Sequence, residues 1–148
     1  MNEATPMEDS IAGLVCPHIA RRGGALTLLG SRCAACAEVY FPPAGNCTRC
    51  LSRDLRPHDL GGRGTLWSWT VQSFMPKPPY DGGEAPEQFR PYGVGYIEMA
   101  DGIKVEARLT QADGLRIGMA MRLVLADYGA PDRPGALRTY AFEPETAA

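Results

Sequence analysis

The chain has 148 residues, of which 45% are hydrophobic and 22% charged, and a formal net charge of −2 at pH 7. That length accommodates one ordinary domain, or one domain plus a small metal-held module. The near-neutral charge excludes a broad basic footprint for nucleic acid, and no stretch approaches the roughly 18 consecutive apolar residues of a membrane span.

Residues 1–10 are polar and read as a frayed terminus. The opening Met1-Asn2-Glu3-Ala4 shows no basic segment followed by an apolar run, so no signal peptide is expected. Ile11, Leu14, Val15 and Ile19 recur at a spacing that predicts a short helix within residues 11–30, although Pro17 sits badly in its interior. Gly23-Gly24 then breaks the chain, and Leu26, Leu28 and Leu29 lead into the first cysteine pair.

Two Cys-x-x-Cys pairs follow, Cys33-Ala-Ala-Cys36 and Cys47-Thr-Arg-Cys50, separated by ten residues. A tight turn that holds two thiolates is half of a tetrahedral site, and a second such turn closes it. Four cysteines at this spacing are the usual ligand set of structural zinc, and a closed set leaves no position for water or substrate. Cys33, Cys36, Cys47 and Cys50 are therefore the candidate metal ligands. Val39-Tyr40-Phe41 between the pairs reads as a β-run ended by Pro42-Pro43. A segment this small buries too little to fold unaided, which is the physical reason for a metal. Unpaired thiols, including the lone Cys16, fit a reducing cytoplasm better than a disulfide framework.

Past Gly61-Gly62-Arg63-Gly64 the pattern changes to strands. Thr65 to Val71 is the first, rich in aromatic and β-branched residues. Tyr92 to Met99 is the second, with Val94, Tyr96 and Met99 assigned to its apolar face. Asp101-Gly102 signals a hairpin. Ile103 to Leu109 is the third, with Ile103, Val105, Ala107 and Leu109 on one face and Lys104, Glu106 and Arg108 on the other. Met121 to Leu125 and Leu137 to Phe142 complete five strands, which predict a small OB-fold barrel. The fold class is mainly β: an N-terminal helical segment (1–30), a rubredoxin-like zinc ribbon (31–60) and an OB-fold domain (61–148). The Pro/Gly-rich stretch 75–91 is read as an irregular loop, one that contacts a partner or ligand in the sharp reading and a mobile surface loop in the bland one.

Other residues carry a sharp and a bland reading. Cys16 with His18 suggests a nucleophile, but no motif supplies an orienting acid, and a lone cysteine usually packs as a small apolar residue. His58 reads as a solvated residue of a polar link. Trp67 and Trp69, two apart, share a face in a regular strand and serve either the core or a partner. Arg32, Arg49, Arg53, Arg56 and Arg63 cluster around the ribbon; they balance the thiolate charge, or they attract phosphate.

Cys33-x-x-Cys36, Tyr40-Phe41-Pro42-Pro43 and Cys47-x-x-Cys50, followed by Gly64-Thr65-Leu66-Trp67-Ser68-Trp69-Thr70, Pro91-Tyr92-Gly93-Val94-Gly95, Leu115-Arg116-Ile117-Gly118 and Phe142-Glu143-Pro144, together carry a resemblance. Over roughly residues 11–144 the chain resembles the zinc-ribbon plus OB-fold family of acyl-CoA-associated proteins, long known as a domain of unknown function. The resemblance implies a non-catalytic subunit that binds structural Zn2+ and partners a thiolase-like catalytic subunit, as a heterotetramer. It looks like the small subunit of benzoylsuccinyl-CoA thiolase, which implies thiolytic cleavage of a 3-oxoacyl-CoA by the partner. Hydratases and aldolases acting on acyl-CoA are the alternative partners. A coenzyme A thioester is then expected at the interface, with Arg49, Arg53 and Arg56 as candidate phosphate contacts. A single-stranded nucleic-acid-binding OB module is the competing class, opposed by 8 Lys/Arg against 11 Asp/Glu in residues 64–148.

Overall fold

The computed structural model describes residues 11–80, 82–127 and 137–145, so the expectation for residues 1–10 lies outside the described residues. Its strands form two sheets. The first holds β1 (Ile19–Arg22), β2 (Ala25–Cys33), β3 (Val39–Tyr40) and β4 (Leu55–Gly61). The second is a closed barrel of β5 (Arg63–Gln72), β6 (Tyr92–Met99), β7 (Lys104–Leu109), β8 (Ala120–Asp127) and β9 (Arg138–Pro144), in the order β5-β6-β7-β9-β8. All barrel pairings are antiparallel except β7 with β9, which is the closure of a five-stranded Greek-key barrel.

The helix expected within residues 11–30 does not form. Gly23 and Gly24 adopt φ +58° and +82°, a turn that folds β1 back on β2 with Ile19 opposite Leu28. Leu14 instead makes an isolated parallel bridge to Arg138 of β9. The spacing of Ile11, Leu14, Val15 and Ile19 imitates a helix, but Gly13 at φ +75° and Pro17 break helical continuity. Ile19 and Leu28 then bury on one face of a hairpin.

β7 alternates as expected, with Val105, Ala107 and Leu109 buried and Lys104, Glu106 and Arg108 exposed. β6 does not. Its buried face is Gly93, Gly95, Ile97 and Met99, while Tyr96 is exposed and Val94 half-buried. A Cβ on Gly95 would lie 2.9 Å from the Ser68 carbonyl oxygen and 3.0 Å from Leu66 Cδ1, and one on Gly93 2.5 Å from the Gln111 carbonyl oxygen. The interior there has room for backbone alone, so glycine takes the inner face at positions 93 and 95, Ile97 and Met99 continue that face, and Val94 and Tyr96 lie on the other.

The two tryptophans also part company. The β5–β6 register shifts between Leu66 and Ser68, with Leu66 opposite Ile97 and Ser68 opposite Tyr96. Trp67 is the extra residue of a β-bulge, which resets the strand's parity. Trp67 is half exposed, edge-on to Tyr96 and covered by the Lys104 ammonium, whereas Trp69 packs against the core. Among the described residues of the 73–91 connection, the one regular element is a 3-10 turn at Pro86–Gln88. The connection is pinned to the barrel by edge-to-face contacts from Tyr80 to Phe89 and from Phe89 to Tyr92, on which the Arg108 guanidinium rests.

One core serves both sheets. Ile19, Leu28 and Leu60 of the first sheet cluster with Leu66, Ile97, Val105, Met121 and Phe142 of the barrel.

Candidate metal centre and its surroundings

The four paired cysteines sit at the end of the first sheet. Cys33 ends β2, Cys36 follows in the turn to β3, and Cys47 and Cys50 lie in the connection from β3 to β4. The two turns repeat the same hydrogen bonds. Ala37 N–H donates to the Cys33 carbonyl (2.9 Å) and Leu51 N–H to the Cys47 carbonyl (3.0 Å). Cys33 N–H donates to the Glu38 carbonyl (2.8 Å) and Cys47 N–H to that of Ser52 (2.9 Å). The residue after the second cysteine is left-handed in both, with φ +66° at Ala37 and at Leu51.

The four sulfur atoms lie within 4.8 Å of one another, with Cys33 to Cys50 at 3.6 Å and Cys36 to Cys47 at 3.5 Å. Tetrahedral zinc with Zn–S near 2.3 Å requires sulfur separations of about 3.8 Å, so the donor set fits that ion. The surroundings act differently on the four thiols. The Tyr40 hydroxyl pulls the Cys47 thiol down to about 6 against the effect of burial, and the Cys36 amide lowers Cys33. Cys36 is pushed up to about 12: the Glu38 amide favours its thiolate, but burial and the neighbouring thiols outweigh it. Cys50 is raised too: the Ser52 amide favours its thiolate, and the Cys33 thiol opposes it. The four thiols thus differ in how strongly their surroundings favour the thiolate, and metal binding requires all four as thiolates.

Tyr40 supports the site in a way the sequence did not single out. Thr48 N–H donates to its phenolic oxygen (2.9 Å), and that hydroxyl lies 3.3 Å from Cys47 Sγ, where a thiolate accepts its proton. Cys50 N–H also donates to Cys47 Sγ, at 3.4 Å. On the neighbouring residue, Phe41 stacks edge-on between His18 (6.4 Å) and Tyr140 of β9 (5.7 Å). The Tyr-Phe pair thus ties the metal site to the barrel, one ring each way.

The remaining candidates are dispersed. Cys16 is half-buried, and the His18 ring is spent on packing against Phe41. His58, expected to be solvated, instead has Nε2 at 2.9 Å from Asp101 Oδ2 and joins β4 to the β6–β7 hairpin. Arg49 pairs with Glu38 (3.2 Å), Arg56 with Asp54 (3.4 Å) and Arg63 with Glu145 (3.2 Å). Arg53 is exposed between the second turn and β4. Among the described residues no helix is long and apolar enough to cross a membrane.

Comparison with known proteins places this geometry. Two family models match in succession: the rubredoxin-like zinc ribbon domain of ChsH2 over residues 23–56 and the C-terminal OB-fold domain of ChsH2 over residues 57–126. A DUF35 domain-containing scaffold protein of Methanocaldococcus jannaschii is 26% identical over 119 residues, 78% of this chain and 79% of that protein. The benzoylsuccinyl-CoA thiolase subunit BbsA of Thauera aromatica is 30% identical over 92 residues, 62% of this chain and 58% of its own. A probable enoyl-CoA hydratase alpha subunit of Thermomonospora curvata is 30% identical over 98 residues, 65% of this chain but only 28% of that longer protein. Among solved structures, a chain of the Ltp2–ChsH2(DUF35) aldolase matches with a TM-score of 0.59 and 27% identity, covering 80% of this chain and 84% of that one.

Proposed function

The chain belongs to the ChsH2-type zinc-ribbon plus OB-fold family (DUF35), and we propose that it is a non-catalytic accessory subunit of an acyl-CoA-processing enzyme. The observation that carries this reading is the closed four-cysteine site fused through a shared core to an OB barrel. A four-thiolate ion has no open position for substrate, so it supplies rigidity rather than chemistry. Cys33, Cys36, Cys47 and Cys50 would hold structural Zn2+. The names of the relatives support partners in thiolase, hydratase and aldolase complexes.

Of these the thiolase is preferred: thiolytic cleavage of a 3-oxoacyl-CoA, with an aromatic substrate such as benzoylsuccinyl-CoA. In a cytoplasmic heterotetramer this chain would stabilise the catalytic subunit and help shape its acyl-CoA pocket. Arg49, Arg53 and Arg56 are its candidates for CoA phosphate contact, and the 75–91 loop for contact with the partner. Co-expression with a candidate catalytic subunit, sought first among the neighbouring genes, is expected to give a stable hetero-oligomer, with the partner alone insoluble or inactive. A fully active partner without this chain rejects the proposal. Titration with a labelled single-stranded oligonucleotide at low salt separates the nucleic-acid class; salt-sensitive binding would favour it.

A further inference from the structure

The second cysteine turn contains a residue that its own fold does not explain. At Ala37 and Leu51 the chain is left-handed, a conformation that glycine adopts freely and residues with a Cβ resist. The first turn keeps the smallest such side chain. The second carries leucine, which is 82% exposed, so no internal packing offsets the backbone strain. Strain held at an exposed, rigid position marks a contact made outside the molecule. The turn is locked by its hydrogen bonds and, once loaded, by the metal, so presenting Leu51 costs little further ordering.

The surroundings indicate what it meets. Arg49 and Arg53 flank Leu51 and are exposed. On the adjoining sheet, Arg32 of β2 stands directly opposite Arg56 of β4, a like-charged cross-strand pair that disfavours folding. Glu38 and Asp54 pair with Arg49 and Arg56; Arg32 and Arg53 remain, against the charge of about −2 of a zinc-loaded four-thiolate centre, so it is the exposed guanidinium groups on either side of Leu51, and not a net excess, that a partner would meet.

We infer that Leu51 is a docking knob, seated in an apolar pocket rimmed by carboxylates on the catalytic subunit with which this chain assembles. The inference rests on the proposed accessory role and adds the contact residue and the chemistry of the partner surface. Leu51 would be the anchor, and the arginine rim would steer association and set its salt dependence.

The test uses the co-purified hetero-complex and three variants, Leu51→Gly, Leu51→Met and Arg53→Glu. Leu51→Gly is expected to raise the denaturation midpoint of the isolated zinc-loaded chain and yet weaken the complex roughly tenfold or more. Leu51→Met, equally strained but apolar, is expected to retain near wild-type affinity. Arg53→Glu is expected to slow association and flatten its dependence on salt. The opposite signs of the glycine effects distinguish a contact residue from a structural one. A Leu51→Gly complex as tight as wild type overturns the inference and leaves the accessory role standing. A wild-type chain that forms no complex overturns both.

Discussion

Tyr40 shows how one hydroxyl acts on the metal site. It accepts the Thr48 amide, donates to Cys47 Sγ, and lowers that thiol's pKa. Tyr40→Phe leaves the Thr48 amide without this acceptor and removes a donor from a ligand sulfur. Faster zinc loss to a chromophoric chelator is expected, by roughly tenfold for one lost charge-assisted bond; a rate equal to wild type would contradict the assignment. Strain at Ala37 is a second residue-scale matter. Ala37→Gly relieves the left-handed penalty of about 1–2 kcal/mol but adds freedom to the unfolded chain costing about 0.4–1 kcal/mol. The net expectation is a gain of about 0.5–1 kcal/mol in denaturant unfolding of the zinc-loaded chain. A loss of stability would refute the strain argument.

Among the elements, β5 and β6 decide which side chains face inward. The bulge at Trp67 makes the two tryptophans energetically unlike. Trp69→Ala is expected to cost about 3 kcal/mol as a core truncation, whereas Trp67→Ala should stay within about 1 kcal/mol as a surface change. Equal costs in urea unfolding would mean that the bulge does not separate them. Strand β2 is held by a similar close approach. A Cβ on Gly30 would collide with the Tyr40 carbonyl oxygen, so Gly30→Ala must push β3 away and carry Tyr40 with it. The expected result is weaker zinc retention together with a stability loss of roughly 1–3 kcal/mol; unchanged zinc content after dialysis against a chelator would count against this coupling.

Over the whole molecule the ribbon sheet and barrel behave as one body. They share a core through Ile19, Leu28 and Leu60, and are joined at the surface by His58 to Asp101 and by Phe41 to Tyr140. Zinc release reports the ribbon, while both tryptophans lie in the barrel strand β5. Denaturant titration is therefore expected to give coincident midpoints for tryptophan fluorescence and zinc release. Separated transitions would show two independent units.

The sequence by itself determined the four-cysteine site, the five barrel strands and the alternation of β7. These rest on local signals: paired cysteines at fixed spacing, turn glycines, and a period of two. It did not determine the fate of residues 11–30, where a helix-like spacing belongs to a hairpin and an extended segment. Nor did it give the inner face of β6, because hydrophobicity cannot mark a face half of whose occupants, Gly93 and Gly95, are glycines. The bulge at Trp67, the pairing of His58 and the Tyr40 contact to Cys47 were decided by tertiary structure alone. Each depends on which backbone or side chain arrives opposite from a distant part of the chain, and sequence spacing does not encode that distance.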